Sequence, residues 1–437
     1  MKRIGLWLVA FSLWAAEPDW PALERRAVEL LQQYVRIESV NPPADTRAAA
    51  AFLKAELDKN GITVRLYPSG PTGQTNLVAR LPGKDPSKKP LLLLNHMDVV
   101  PVDRQAWKIE PFAAILRDGC LWGRGSLDMK SLGLEHLLAL IALRQAGAAP
   151  ARDIVMLSTA DEETGGDWGI RWMIANHYRE IDAEYVLDEG GFGTRDILAT
   201  GKLVFGIMVG EKQTLWLRLR AAGTAGHGSQ PLPDNANLIL LEAIRNAMAL
   251  PPVQPHPVVA EMIGRIGAPL AANRYTAAIQ GNTVSLTTLA SGVGNPAQVN
   301  VIPSAAEATL DCRLLPGVDA RKFLADMRAR IHDPRVSLEP ASISEDAGIS
   351  HSRTPLFEAI RRALQKHHPG AVVTPLLVPH GTDSVNLRRR GVTAYGFTPM
   401  VLDLATNSSA HSDAERVPVA EFLKGLRILY DVLRSDF

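Results

Sequence analysis

The sequence has almost no net charge and few cysteines. Its 437 residues contain 47 Lys and Arg against 46 Asp and Glu, a formal net charge of +1, without a long run of either sign. This balance argues against nucleic acid as a partner and against adhesion to an anionic membrane. The two cysteines, Cys120 and Cys312, lie far apart in the chain. That spacing excludes a disulfide framework, leaves a single bridge open, and favours buried, inert thiols.

The N terminus also lacks an apolar run long enough to span a membrane. Residues 4–14 are apolar, with Lys2 and Arg3 before them and Ala15 and Ala16 after them. This is the layout of a secretory signal peptide cleaved after one of the two alanines. A spanning helix needs about 20 residues, so we expect no stable membrane insertion. Residues 1–16 therefore predict a periplasmic or secreted protein; an uncleaved membrane tether is the alternative.

The length of the chain predicts two domains, because one ordinary core rarely grows to 437 residues. Strand patterns at 62–67, 76–81, 91–95, 153–159 and 185–187, with a helical pattern at 131–145, predict an α/β domain. Its sheet should be mixed, mostly parallel, and flanked by helices. From residue 213 the order changes to βαββαβ, which predicts an inserted ferredoxin-like α+β domain. We expect residues 17–212 and 343–437 to form the main domain and residues 213–342 the insertion.

Acidic residues or His follow three apolar strands of the main domain. His96 and Asp98 end the first, Glu162 and Glu163 follow the second, and residues 188–189 (Asp-Glu) follow the third. Open α/β sheets bind ligands beyond the carboxyl ends of their strands. His96 and Asp98 are two apart and leave a strand on the same side, so Asp98 can hold the second ring nitrogen of His96. Glu162 and Glu163 should point in opposite directions if the chain is extended there, so that one binds metal and the other stays free.

The motifs occur in one order along the chain: H-x-D at 96–98, G-R-G-x-x-D-x-K at 123–130, D-E-E-x-G-G at 161–166, D-E-G at 188–190 and a late His at 411. This order resembles the M20 metallopeptidases, in the branch of aminoacylase and carboxypeptidase S. The resemblance implies a site for two zinc ions, which cobalt or manganese could replace. The implied ligands are His96, Asp128, Glu163, Glu189 and His411. Asp128 would bridge the two ions, and Asp188 is the alternative to Glu189.

The resemblance also implies catalytic and substrate-binding roles. Glu162 would be the general base for a zinc-bound water, and Asp98 would orient His96. His227 would reach the active site of a partner subunit and stabilise the oxyanion. Asn300 and Thr382 match segments that line the substrate side, and the late motif departs from the usual H-G-x-N-E by reading H-S-D-A-E at 411–415. An Arg such as Arg313 or Arg353 would suit a substrate carboxylate, but the sequence does not select one.

The predicted function is metal-dependent hydrolysis of an amide bond next to a free carboxylate, by a carboxypeptidase or an N-acyl-amino-acid deacylase. We expect a small peptide or N-acyl amino acid as substrate, and a homodimer formed through the inserted domain. An aminopeptidase-like exopeptidase is an alternative that would need a site for a free substrate amine. A catalytically silent binding protein is another, although such a protein would be expected to lose ligands, and all five are present.

Overall fold

The computed structural model describes residues 17–437, so the predicted signal peptide lies outside the described residues. The helices are α1 Trp20–Val35, α2 Arg47–Lys59, α3 Ser131–Gln145, α4 Ile170–Ile181, α5 Ala236–Met248, α6 Pro257–Ile266, α7 Arg274–Ile279, α8 Ala320–Ile331, α9 Pro355–His367, α10 Ser384–Arg388, α11 Leu404–Asn407 and α12 Val419–Arg434. The strands are β1 Thr63–Pro68, β2 Thr75–Leu81, β3 Leu91–His96, β4 Ile115–Arg117, β5 Cys120–Trp122, β6 Ile154–Thr159, β7 Tyr185–Asp188, β8 Phe192–Thr194, β9 Val204–Glu211, β10 Gln213–Ala222, β11 Gly226–His227, β12 Thr283–Ser291, β13 Val301–Ile302, β14 Ala305–Leu314, β15 Val336–Ile343, β16 Val372–Val378, β17 Thr393–Gly396 and β18 Arg416–Pro418.

A mixed sheet of nine strands forms the centre of the main domain. Its order is β1-β2-β6-β3-β7-β17-β9-β16, with β8 beside β9. The middle strands β6, β3, β7 and β17 run parallel, whereas β1 and β2 pair antiparallel at one side. Every residue of β3 and β6 is buried, as expected for strands covered on both faces. The predicted α/β class with a mostly parallel sheet is confirmed.

Parallel pairing brings the ends of three strands to one edge of this sheet. His96, the last residue of β3, lies opposite Thr159, the last residue of β6. Strand β7 pairs with the other side of β3 from Leu91 onward. The segments that leave β3, β6 and β7 therefore emerge side by side, which is the arrangement that the sequence predicts.

Helices cover both faces of the sheet. On one face α3 is buried from Ser131 to Leu143 and packs against α12. Burial of every residue over this stretch, including the polar Glu135 and His136, leaves α3 no solvent-facing side there, so it lies inside the core and not on its surface. Helix α1 begins with Asp19 accepting a hydrogen bond from the Ala22 main-chain nitrogen at 3.1 Å, and it packs beside α3. On the other face α4 buries Ile170 and Met173 in a smaller cluster.

A second, antiparallel sheet has the order β12-β14-β10-β15 and a core of its own, which includes Leu215, Leu217 and Leu219 of β10. Helices α5 and α8 pack against each other and line that core. This is the strand order of a ferredoxin-like βαββαβ unit. Helices α6 and α7 lie between α5 and β12 in the sequence, yet α6 packs on β16 and both helices contribute to the core of the main domain. The boundaries of the insertion at residues 213 and 342 stay a prediction. Helices α6 and α7 lie between these boundaries in the sequence but pack in the main domain.

Two further features of the described residues concern membrane-spanning helices and the cysteines. No helix within 17–437 is long and apolar enough to cross a membrane. Cys120 and Cys312 are free thiols, and burial raises the pKa of Cys312 to about 12, which leaves it protonated and unreactive at neutral pH.

Candidate functional site

His96 stands at the end of the fully buried strand β3, and its ring is buried as well. Its Nε2 atom lies 3.2 Å from Oδ1 of Asp128 and 3.7 Å from Oε1 of Glu189. Burial alone would lower the pKa of His96, but the hydrogen bonds with Asp128 and Asp98 outweigh it and raise that pKa well above its usual value. The ring therefore lies in a strongly negative environment.

Asp98 contacts His96 through a different atom from the one expected. The Nδ1 atom of His96 is 3.0 Å from the main-chain carbonyl oxygen of Asp98, whereas the carboxylate is 3.6 Å away. The carboxylate oxygens are occupied by other donors: the main-chain nitrogens of Glu162 and Glu163, at 3.2 and 3.1 Å, and the Asn41 amide, at 2.8 Å. One residue thus fixes both the His96 ring and the turn that carries the two glutamates.

Asp128 lies in a tight turn, Ser126–Lys130, that leads into α3. The preceding Gly125 has φ of 79°, a conformation that L side chains rarely adopt, and a Cβ atom there would lie 2.6 Å from Cγ1 of Val99. Only glycine meets both conditions. The G-R-G motif therefore allows the chain to reverse sharply and deliver Asp128 beside His96.

Glu415 clamps this turn from the C-terminal part of the chain. Its carboxylate accepts hydrogen bonds from the main-chain nitrogens of Gly125, Leu127 and Asp128, at 3.0, 2.9 and 3.1 Å. It also pairs with Arg124 at 2.6 Å, and both side chains are buried. Glu415 is the glutamate of the late motif, four residues after His411. Its hydrogen bonds hold the backbone that carries Asp128.

Glu162 and Glu163 lie in a single 3₁₀ turn, Glu162–Thr164, and not in extended chain. The expectation of opposed side chains on an extended segment is therefore wrong, because the main-chain nitrogens of both residues bond to the Asp98 carboxylate and curl the chain. Both side chains border the same cavity. Oε2 of Glu163 is 3.2 Å from Nε2 of His411, and its Oε1 is buried without a hydrogen-bond partner.

His411 and His96 contact different oxygens of the Asp128 carboxylate. The Nε2 atom of His411 lies 3.0 Å from Oδ2 of Asp128, while Oδ1 of the same carboxylate faces His96. Hydrogen bonds that the ring donates to the carboxylates of Asp128 and Glu163 raise the pKa of His411 to about 10. The residue has φ of 61°, an uncommon conformation for a non-glycine residue that is found preferentially at functional sites.

Asp188 and Glu189 face different ways, although they are neighbours in the sequence. The Asp188 carboxylate accepts hydrogen bonds from the main-chain nitrogen and the hydroxyl of Ser384, at 3.0 and 2.7 Å. Glu189 instead directs its side chain toward His96 and lines the cavity. The geometry therefore favours Glu189 over Asp188 as the ligand.

The donor set fits divalent cations. Ligand atoms of His96, Asp128 and Glu163 lie within 4.8 Å of one another, and so do those of His96, Glu162 and Glu189. Burial, together with repulsion among the carboxylates, raises the pKa of Glu162, Glu163 and Glu189. Two imidazoles, several crowded carboxylates and the unpartnered Glu163 oxygen are a ligand set that zinc, cobalt or manganese accepts.

A cavity of about 540 Å³ opens from this cluster. Its walls are largely apolar away from the acidic end, and they include Leu127, Met129, Leu132, Phe192, Tyr275, Ala278, Leu402 and Leu404. Arg274 and His380 also line it, and neither was predicted from the sequence. No motif marks them, because α7 and the loop after β16 reach the cavity only through the folding of the chain.

The three residues predicted to contact the substrate or the oxyanion do not line this cavity. His227 lies exposed on the short strand β11, and the nitrogen of the next residue, Gly228, donates to the Asn300 carbonyl oxygen at 2.7 Å. His227 and Asn300 are therefore close to each other, in the part of the chain that carries the second sheet. Thr382 is buried, and its hydroxyl donates to Oε1 of Glu211 at 2.7 Å. Within this chain, substrate contacts by the three side chains stay a prediction.

Comparison with known proteins identifies the family. The model of peptidase family M20/M25/M40 matches residues 92–435, which is most of the chain. The chain belongs to this family. The resemblance drawn from the motifs is thereby confirmed, and so is the predicted reaction class: this M20 chain is a metal-dependent hydrolase of amide bonds.

The chain is similar to other proteins over most of its length. The M20 chain is 28% identical to aminoacylase-1 of Homo sapiens over 414 residues, covering 93% of this chain and 94% of that protein. It is 27% identical to the N-fatty-acyl-amino acid synthase/hydrolase of Mus musculus, covering 81% and 75%. Among solved structures, the M20 family metallo-carboxypeptidase Sso-CP2 from Sulfolobus solfataricus shares the fold with a TM-score of 0.70, 19% identity, and coverage of 93% and 98%.

Proposed function

We propose that this M20 chain hydrolyses N-acyl amino acids, releasing the acyl group and the free amino acid. The observation that carries the proposal is the combination of an acidic, His-containing ligand cluster at one end of the cavity with an apolar wall at the other. An N-acyl amino acid has two corresponding parts. Its acyl group is apolar, and its scissile amide stands next to a carboxylate. The likeness to aminoacylase-1 and to an N-fatty-acyl-amino acid hydrolase supports this choice.

The proposed cofactor is a pair of zinc ions, with cobalt or manganese as functional substitutes. His96 and Glu189 would hold one ion, Glu163 and His411 the other, and Asp128 would contact both, because its two oxygens face the two histidines. Bound there, the metal would polarise the amide carbonyl and make a water molecule acidic enough to attack at neutral pH.

Glu162 is the proposed general base. Burial is the main cause that raises its pKa, and repulsion by neighbouring carboxylates adds to the effect. A carboxylate that borders the cavity beside the metal ligands can act as the proton acceptor for the attacking water. Glu162 would take a proton from the attacking water and deliver it to the amine that leaves. Its neighbour Asp98 holds the main chain of Glu162 in place for both transfers.

Carboxypeptidase activity is the second candidate. The C-terminal residue of a peptide also presents an amide bond next to a free carboxylate, so the same cavity end could accept it. Aminopeptidase activity is less favoured, because a substrate ammonium needs an acidic partner. The acids that line the cavity, Asp128, Glu162, Glu163 and Glu189, are all assigned to the metals or to the base.

We also propose a homodimer through the second sheet. Strand β12 is an edge strand of that sheet and is exposed over most of its length. Its Leu289 is 56% exposed, and on α5 Leu238 and Leu241 are 63% and 51% exposed. An unpaired edge with exposed leucines is a ready surface for strand addition. His227 and Asn300 would then serve the cavity of the partner subunit.

Export is proposed from the composition of residues 1–16, namely two basic residues, a short apolar run and two alanines. A periplasmic or secreted location would place hydrolysis outside the cytoplasm. N-terminal sequencing of the mature protein from fractionated cells tests this. Cleavage after Ala15 or Ala16 is expected, and an intact N terminus in the cytoplasmic fraction would contradict it.

The experiment that tests the proposed function is a substrate panel with the zinc-loaded protein. It compares N-acetyl, N-octanoyl and N-palmitoyl amino acids with dipeptides carrying a free amine and with N-blocked dipeptides. We expect the N-acyl amino acids to give the highest kcat/KM. A preference for N-blocked dipeptides would select the carboxypeptidase, whereas a preference for substrates with a free amine would overturn the proposal.

A further inference from the structure

We propose that Asn41 is a positioning residue, which holds the turn of the two glutamates by bonding to two buried carboxylates at once. The inference rests on the proposed function, which assigns the general base and a metal ligand to Glu162 and Glu163. The Nδ2 atom of Asn41 lies 2.8 Å from Oδ2 of Asp98 and 2.9 Å from Oδ1 of Asp161. A side-chain amide nitrogen carries two hydrogens, so it can donate one to each carboxylate.

The backbone of Asn41 is fixed beside the segment that follows strand β3. Its main-chain nitrogen donates to the Val99 carbonyl oxygen at 2.8 Å, and the Val99 nitrogen donates to the Ser39 carbonyl oxygen at 3.0 Å. The Ser39 hydroxyl donates to the Met97 carbonyl oxygen at 2.6 Å. These bonds hold Asn41 next to Asp98 independently of its side chain.

Asp161 shapes the loop on the other side of the Asn41 amide. Its Oδ1 atom accepts a hydrogen bond from the Thr164 hydroxyl at 2.6 Å, and its Oδ2 atom accepts one from the Trp168 main-chain nitrogen at 3.0 Å. Asp161 immediately precedes the 3₁₀ turn, and Asp98 accepts the main-chain N–H groups of that turn. The amide therefore joins the two carboxylates that determine the path of the turn.

Charge explains why an amide suits this place. Both carboxylates are buried, and within residues 17–437 no Lys or Arg side chain forms an ion pair with Asp98 or Asp161. Neighbouring buried carboxylates repel each other unless donors stabilise their charged forms. Asn41 donates to both and adds no charge of its own. An aspartate in its place would donate to neither and would add a third negative charge.

The position of the turn decides where its two glutamates act. Glu162 has to reach the attacking water, while Glu163 has to reach the metal beside His411. A misplacement of about 1 Å can cost on the order of 100-fold in rate, even when the altered residue is distant from the chemistry. Asn41 does not line the cavity, so its effect on the reaction has to pass through this turn.

The test begins with Asn41→Asp, which keeps the shape of the side chain and removes its donors. We expect kcat to fall by about 10- to 100-fold and the zinc concentration for half-saturation of the stripped protein to rise by about tenfold. KM should change less than about threefold, because the cavity wall is unaltered. Asn41→Leu should have a smaller effect than Asn41→Asp, whereas a role in packing alone predicts the reverse order.

A second substitution tests the coupling between the amide and Asp161. Asp161→Asn should lower kcat in the wild-type background but raise it in the Asn41→Asp background, because there it removes one of three crowded charges. Asn76→Asp is the matched control. Asn76 is also buried, but its amide donates to neutral oxygens, the Ser69 hydroxyl and the Trp168 carbonyl, at 3.0 and 2.9 Å. It should lower the urea midpoint and leave zinc half-saturation unchanged.

Wild-type kcat and zinc binding in Asn41→Asp would overturn the inference, and so would an equal shift of zinc binding in Asn76→Asp. If Asn41→Asp does not fold, Asn41→Ser, which keeps one donor, should show smaller shifts in the same direction, and wild-type values there would overturn the inference as well. A wild-type protein that hydrolyses no N-acyl amino acid or peptide would overturn the proposed function alone, because the zinc titration needs no turnover.

Discussion

The main-chain nitrogen of Asp128 donates a hydrogen bond of 3.1 Å to the Glu415 carboxylate, which joins two residues far apart in the sequence. The same carboxylate pairs with buried Arg124 at 2.6 Å. The position of Asp128 is thus supported by a charged group that does not touch the Asp128 carboxylate. Glu415 is best described as a positioning residue.

We expect Glu415→Gln to destabilise the protein by about 3 kcal/mol, because removing one charge of a buried pair leaves the other uncompensated. It should also weaken metal binding, since the turn that presents Asp128 loses its anionic acceptor. Urea unfolding and metal titration measure the two effects. Glu242→Gln is the matched control: its ion pair with Arg245 is exposed, so a change below about 0.5 kcal/mol is expected. Equal effects of the two substitutions would contradict the role of Glu415.

Glu162→Gln and Glu163→Gln form a second test, because they make the same change at adjacent positions. Glu162→Gln should abolish turnover with the metal content of the wild type. Glu163→Gln should lower the metal content as well, since Glu163 lies within ligand distance of both His411 and the Asp128 cluster. Elemental analysis after dialysis, together with kcat, separates the two. Activity retained by Glu162→Gln would exclude it as the base.

Lys212 predicts a pH dependence of stability. Burial, with a smaller contribution from Arg313, lowers its pKa to about 7 in the folded chain, below the usual 10.5 of an unfolded chain. Between these values the unfolded state binds more protons, so the free energy of unfolding rises with pH, by at most about 1.4 kcal/mol per pH unit. Below pH 7 both states are protonated and the contribution is flat.

The measurement is the unfolding free energy of wild type minus that of Lys212→Met at pH 7.5 and 9.5, where we expect an increase of about 2 kcal/mol. Lys202→Met is the control, because Lys202 is exposed and donates to the Ile266 carbonyl oxygen at the end of α6. A difference that stays constant with pH for Lys212→Met would mean that the folded chain keeps the ammonium charged.

The proposed dimer predicts that Leu289→Asp halves the mass measured by light scattering, because a charge on the edge strand opposes pairing. Leu116→Asp introduces the same charge at a side chain that is 47% exposed on another sheet, and it should leave the mass unchanged. A monomeric wild-type protein would rule out the proposal directly.

The dimer also makes a prediction about His227. His227→Ala should lower kcat more than it lowers metal content. Refolding His227→Ala together with Glu162→Gln should restore part of the activity, since a mixed dimer has one cavity with Glu162 from one chain and His227 from the other. Absence of complementation in confirmed mixed dimers would place the action of His227 outside the partner's site.

Much of the main domain could be predicted from sequence, because apolar strands followed by His or acids leave a strong signal. The sequence predicts His96, Glu163 and Glu189 at one sheet edge, and the structure has them there because parallel strands bring their carboxyl ends together. The conformation at Glu162 could not be predicted, because it depends on the distant Asp98 carboxylate that curls the chain.

The position of Arg274 shows more clearly what could not be predicted from the sequence. Its helix α7 is only six residues long, and no local pattern says against which sheet so short a helix packs. The sequence predicts one insertion over residues 213–342, whereas α6 and α7 pack in the core of the main domain and Arg274 of α7 lines the cavity. Tertiary packing decides such a placement, and no local motif records it.

The measurement that tests the central claim most directly is activity against metal content. The purified protein is stripped with a chelator, assayed on an N-acyl amino acid, and then titrated with zinc, cobalt or manganese. We predict that hydrolysis disappears with the metal and returns in proportion to the metal bound, while Glu163→Gln and His411→Ala recover little. Full activity in protein shown by elemental analysis to be metal-free would contradict the account.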